Sequence, residues 1–115
     1  MPPDASAQRI VRTLDRSDGV RVVTVSGVVD VFNAGALSRE AVAGLPNEAR
    51  EIVLDLEAVS FLDSAGISAI VKLVRQFRSQ SIAMRASIGN DSPLSATVVE
   101  LLRQVVPFDD PDLDT

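Results

Sequence analysis

The 115 residues contain no cysteine, histidine, tryptophan or tyrosine, and four phenylalanines are the only aromatic side chains. Without cysteine there is no disulfide framework and no thiol chemistry; without either cysteine or histidine there is no Cys/His zinc site. The same absences exclude a Ser-His-Asp or Cys-His nucleophile within this chain acting alone. Positive charge is also in the minority, with 11 Lys and Arg against 16 Asp and Glu and a formal net charge of −5. Nucleic acid attracts basic surfaces and stacks its bases on aromatic rings, so no nucleic-acid partner is expected. No apolar run approaches the ~18 residues of a membrane span, and Met1-Pro2-Pro3-Asp4 lacks the basic and apolar regions of a signal peptide. No membrane partner and a cytoplasmic location are therefore expected. Neither a P-loop nor a G-x-G-x-x-G is present, and no cofactor or metal is assigned.

What remains suffices for one domain with its own core. Residues 51–80 organise it. Ile52-Val53-Leu54 and Leu56 form a β-branched apolar run that reads as a strand buried on both faces. The period then changes: Ile67, Ile70, Val71, Val74 and Phe77 fall on one stripe of a helix. Between them lies Asp63-Ser64-Ala65-Gly66. A strand feeding directly into a helix leaves the first helical N–H groups unpaired at the carboxyl end of the strand, where Asp63 or Ser64 can cap them. Those groups and the helix dipole also favour a phosphate. On a helical wheel Ser64 lies beside the polar positions Ser68, Lys72, Arg75 and Ser79, so its hydroxyl should be reachable from outside.

Upstream, residues 1–8 read as a flexible lead-in. Residues 9–14 (RIVRTL) and 20–28 (VRVVTVSGV) flank Ser17-Asp18-Gly19, a turn signal, and predict an antiparallel hairpin; Gly27 suggests a bulge or a close backbone approach. Asp30 or Asn33 can cap a following helix with Ala34, Leu37, Ala41 and Leu45 on one face, which Pro46 stops. Downstream, residues 81–87 predict a strand. Ser92-Pro93 predicts a helix start, with Leu94, Val98, Leu101, Leu102 and Val105 as its buried stripe. Residues 107–115 (PFDDPDLDT) predict an exposed acidic tail anchored by Phe108, with 109–115 beyond the domain. Strands alternating with amphipathic helices imply an α/β fold: a mostly parallel sheet of four to five strands, the hairpin adding an antiparallel pair.

Asp55-Leu56, Val59, Phe61-Leu62 and Asp63-Ser64-Ala65-Gly66 resemble the signature of the STAS domain, in particular of the small anti-anti-sigma factors (anti-sigma factor antagonists). The resemblance covers residues 19–108, within a domain spanning 9–108. It implies a STAS fold, no enzymatic activity, and Ser64 as the serine that a partner anti-sigma factor, itself a serine kinase, phosphorylates. Ala65 stands where Ser or Thr is frequent, and Gly27-Val28-Val29-Asp30 keeps the glycine and aspartate of the family's pattern but not its glutamate. Ser79-Gln80-Ser81 replaces a usual glycine. The implied partner surface comprises Asp30, Asn33, Asp63, Ser64, Ala65, Gly66, Ile67 and Ser68, with a phosphatase as a second partner. From the residues alone Ser64 and Asp63 are also ordinary helix caps, Asp30 an ordinary turn residue, and Lys72, Arg75 and Arg78 a solvated face. Two other readings stand beside the switch: a STAS scaffold subunit of a larger signalling or transport assembly, and a hydrolase using Ser64 and Asp63, for which no base is evident.

Overall fold

A computed structural model describes residues 10–89 and 91–108. The lead-in at 1–8 and the tail at 109–115 lie outside the described residues. Strands β1 (Val11–Asp15), β2 (Val20–Val29), β3 (Glu51–Leu62) and β4 (Ala83–Ser87) form one sheet in the order β1-β2-β3-β4. The first pair is antiparallel and the other two are parallel, as the α/β reading anticipates. Helices α1 (Ala34–Val42) and α2 (Ser64–Ser79) make the crossovers, and α3 (Ala96–Val105) follows β4. Phe108 adds a single parallel bridge to Ala86, and Arg103 stacks 4.7 Å above its ring, so the chain is anchored there.

Both crossovers step across the sheet in the same direction. With the right-handed connection that parallel strands adopt, this puts α1 and α2 on one face, where they pack against each other. The central strand is therefore not buried on both faces: Ile52, Leu54 and Leu56 are fully buried under the helices, whereas Val53 and Asp55 on the other face are half-buried. Beyond Leu56 the inward positions of β3 continue at Val59 and Leu62, a spacing of three instead of two. The ladder explains it. Thr24–Ser26 of β2 faces Asp55–Ala58, and Gly27–Val28 faces Val59–Phe61, so β3 carries an extra residue at each of two bulges. Gly27, with φ +80°, sits at the second irregularity, and space is open where its Cβ would be; the bulge reading holds and close approach does not.

The helix ends depart from expectation in informative ways. Neither Asp30 nor Asn33 caps α1 with its side chain, because both are spent inside the preceding loop. Helix α1 stops at Val42, before Pro46, and Gly44 turns the chain at φ +61°. Its last carbonyls, of Ala41 and Ala43, accept from the buried Arg21 Nη1 at 3.2 and 2.7 Å, while Arg21 also grips Asp15 through Nε (2.6 Å) and Nη2 (2.8 Å). That fork holds the Asp15 carboxyl below its ordinary value. Helix α2 buries Gly66, Ala69, Ile70, Leu73, Val74 and Phe77, so the stripe is rotated from the expected one; Ile67 and Val71 lie at its half-buried edge. It closes with a Schellman pair, Ile82 N to Phe77 O (2.9 Å) and Ser81 N to Arg78 O (3.1 Å), in which Ser81 takes the left-handed position at φ +61°. Helix α3 starts at Ala96 behind a Ser95 cap, not at Ser92-Pro93, and of its expected stripe Leu101 is exposed. Ser92 instead accepts from Leu94 N in the approach loop.

Candidate functional site

The parallel strands β2 and β3 end side by side at Val29 and Leu62, and the chain leaves each toward a helix. Asp63 N donates to Val29 O at 3.1 Å, which brings the β3–α2 join against the β2–α1 loop. Asp63 is the cap of α2: its Oδ1 accepts from Gly66 N at 3.0 Å. Its Oδ2 accepts from Val31 N at 3.2 Å, in the other loop. One carboxylate thus ties both junctions together. It also occupies one of the first-turn donors that a phosphate was expected to use, so an anion on Ser64 would meet a carboxylate beside it.

Gly66 is needed for space, not for an unusual backbone angle. A Cβ there would lie 2.5 Å from Leu62 Cδ1 and 3.0 Å from Val29 Cγ1, so the helix start can approach the strand ends only without one. Ser64 is the first residue of α2 and is exposed, as is Ser68 one turn on; Ala65 and Ile67 are half-buried against the core. Ala65, Ser68, Ala69 and Lys72 of α2 face Ala34, Gly35 and Ser38 of α1 across a shallow groove of ≈ 360 Å³. Small side chains line most of the groove, with Lys72 its one charged residue.

The β2–α1 loop is bonded to itself. Asn33 Oδ1 accepts from Asp30 N (2.8 Å), Asn33 Nδ2 donates to Val28 O (2.8 Å), and Asp30 Oδ1 accepts from Phe32 N (2.9 Å). Held this way, the loop displays apolar side chains to solvent: Val31 is 67% and Phe32 93% exposed. Val28 and Phe61, paired across β2 and β3, are exposed beside it. Sequence reasoning placed Asp30 and Asn33 here but missed Val31 and Phe32. The available signal was an apolar pair enclosed by two turn-forming residues, Asp-Val-Phe-Asn, where burial has no strand or helix to support it.

The site can offer a hydroxyl but little to activate it. Both oxygens of Asp63 are engaged by backbone N–H groups, and the chain has no histidine. Among the described residues no group of three or more His, Cys, Asp or Glu could hold a metal ion, and no helix is long and apolar enough to cross a membrane.

Residues 12–88 match the family model of the STAS domain. The chain belongs to the STAS family. Over 66 residues this STAS chain is 33% identical to BtrV of Bordetella bronchiseptica, named as a candidate anti-sigma factor antagonist; the match spans 57% of each protein. Among solved structures, a candidate anti-sigma factor antagonist of Thermotoga maritima aligns with a TM-score of 0.71 at 18% identity, over 92% of each chain. The unphosphorylated anti-sigma factor antagonist SpoIIAA aligns at 0.68 and 15%, over 90% of this chain and 91% of that one. SpoIIAA of Bacillus in its phosphorylated form aligns at 0.64 and 14%, over 90% and 95%. At these identities the structural likeness shows that the STAS fold is shared.

Proposed function

We propose that this chain is an anti-sigma factor antagonist whose binding is switched at Ser64. Unphosphorylated, it docks through the start of α2 and the β2–α1 loop, with Asp30, Asn33, Asp63, Ser64, Ala65, Gly66, Ile67 and Ser68 at or beneath the interface, onto an anti-sigma factor kinase, which then releases its sigma factor. In the bound state the kinase modifies it. The Ser64 oxygen attacks the γ-phosphorus of a nucleoside triphosphate held by the kinase; the bond to the departing diphosphate breaks, and the hydroxyl proton passes to a base of the kinase. A phosphatase reverses the change by hydrolysis, returning the hydroxyl and inorganic phosphate.

The observation that carries this reading is the placement of Ser64: exposed at the head of α2, one residue from a carboxylate already committed to the backbone, and next to a pre-organised apolar loop. The family match and the names of the relatives support it. A phosphate of about −1.5 to −2 charge inside such an interface adds like-charge repulsion to Asp63 and a desolvation cost. Unfavourable charge juxtapositions cost several kcal/mol, and each ~1.4 kcal/mol is tenfold in affinity, so one phosphate suffices to end binding.

Mass spectrometry of the chain after incubation with ATP and lysate of its host, beside the Ser64→Ala variant, tests the site. A phosphate on Ser64 that the variant lacks is the expected result. No phosphate, in a lysate that modifies a control substrate, would overturn the reading.

A further inference from the structure

We propose that Asp63 is a positioning residue that fixes the apolar tip Val31-Phe32 relative to Ser64, so that a phosphate on Ser64 loosens the tip through that carboxylate. The inference rests on the reading of Ser64 as the modified residue and adds a regulatory element to it. Phosphorylation then acts twice, by placing charge in the interface and by dispersing the surface the partner must grip.

The geometry supplies an unequal pair of bonds. Asp63 Oδ1 to Gly66 N, at 3.0 Å, is partly buried under the helix start; Asp63 Oδ2 to Val31 N, at 3.2 Å, is exposed. A dianion on the next residue repels the carboxylate and competes with it for the N–H groups of the first helical turn. The longer, solvent-exposed bond is the one that yields. Val31 then loses its tie to the α2 junction, and the tip is held only from within its own loop, by Phe32 N to Asp30 Oδ1 and by the bonds of Asp30 and Asn33 that flank it. With Phe32 93% exposed, nothing packed against the tip replaces the lost bond. A surface that is ordered before binding avoids the ordering cost at binding, so a loosened tip binds more weakly even where it still makes contact.

The test needs no partner protein. Full-length chain is prepared with 15N label, with Ser64 either unmodified or replaced during synthesis by phosphoserine, each with Asp63 and with Asp63→Asn. Asparagine keeps one acceptor oxygen for the helix cap but presents an amide where the second oxygen accepted. Amide exchange is read by NMR at Val31, Phe32 and Gly66, with Leu54 and Ile70 as core controls. Phosphoserine is expected to speed exchange at Val31 about tenfold, the factor that follows from losing one hydrogen bond of ordinary net strength, while Gly66 changes less. In the Asp63→Asn chain Val31 is fast already, and phosphoserine adds less than about twofold. The proposal is overturned if phosphoserine leaves Val31 unchanged, or if it speeds Val31 equally with and without Asp63. Should Asp63→Asn disturb the core amides, Asp63→Ser, which also keeps a capping oxygen, takes its place. Because phosphoserine is installed without a kinase, failure of the chain to be phosphorylated in lysate leaves this result standing, and the two failures are told apart.

Discussion

Gly66 is pinned between Leu62 and Val29, with Leu62 Cδ1 2.5 Å from where a Cβ would be. Two effects of Gly66→Ala oppose each other. Alanine improves helix propensity by up to about 1 kcal/mol, but inserting a methyl group into a packed junction costs about 1–3 kcal/mol. Overpacking wins because both neighbours are themselves buried: Leu62 is 3% and Val29 0% exposed. Gly66→Ala is expected to lower unfolding free energy by about 1–2 kcal/mol in urea titration, with a fold that remains native. Arg21 presents a different balance. Its guanidinium lowers the Asp15 carboxyl chiefly through their hydrogen bond, against the opposing effect of burial, with charge attraction contributing last. A carboxyl lower in the folded than in the unfolded chain contributes stability that is complete above the ordinary value of 3.8 and is lost as pH falls through the folded value. Arg21→Met removes that contribution and also the donor to the Ala41 and Ala43 carbonyls, and should cost about 2–3 kcal/mol at about pH 7. Measured at about pH 3, the gap should narrow but persist, since the carbonyl bonds do not titrate. A gap that stays constant from pH 7 to 3 would show that the ion pair contributes nothing.

Helix α2 ends on Ser81 in a conformation where a Cβ meets the neighbouring carbonyl, at a cost of roughly 1–2 kcal/mol. Glycine removes that strain but frees the unfolded chain, which returns about 0.4–1 kcal/mol of the gain. The strain is the larger quantity, so Ser81→Gly is expected to stabilise by about 0.5–1 kcal/mol, seen as a higher urea midpoint with an unchanged slope. That helix end also shows where sequence stops being legible. Strand and helix order, the hairpin, an α2 cap at Asp63 or Ser64 and the exposure of Ser64 could all be read from periodicity and turn chemistry, because each is set by residues close in sequence; the structure selects Asp63 as the cap. The one-sided burial of β3 could not, since it follows from the order in which the strands assemble. Nor could the rotation of the α2 stripe, which goes with the close approach of Gly66 to Leu62 and Val29. Ser92-Pro93 and Ser95 are both sound helix starts locally, and the structure uses the second, with Leu94 buried in the approach to it. At the site the residues of the join were legible, and the display of Val31 and Phe32 was signalled locally by Asp-Val-Phe-Asn though missed; the second bond of Asp63 was not legible, because its donor lies more than thirty positions away in sequence.

Across the whole molecule the site occupies one end of the sheet, and the core lies behind it. Ser64 contributes its hydroxyl to no buried contact, and Phe32, at 93% exposure, adds almost nothing to the packed interior. Substitutions at these two positions should therefore separate binding from folding. Ser64→Ala and Ser64→Glu are each expected to unfold within about 0.5 kcal/mol of the natural chain, the range of surface changes away from caps and cores. Phe32→Ala should do the same. Against the kinase recovered on the Ser64→Ala chain, the outcomes diverge. Ser64→Ala should bind as tightly as the unmodified protein and stay bound in the presence of ATP, because no phosphate can be added. Ser64→Glu places one negative charge where phosphate would place nearly two, and should weaken binding about tenfold or more, less than phosphorylation itself. Phe32→Ala tests the apolar loop: truncating an exposed aromatic anchor of an interface costs about 2 kcal/mol or more, so affinity should fall roughly thirtyfold with the urea midpoint unmoved. Calorimetric titration of the four chains against one kinase preparation reads all of these together. Equal affinities for Ser64→Ala and Ser64→Glu would remove the switch, and an unaltered affinity for Phe32→Ala would place the partner's footprint on α2 alone.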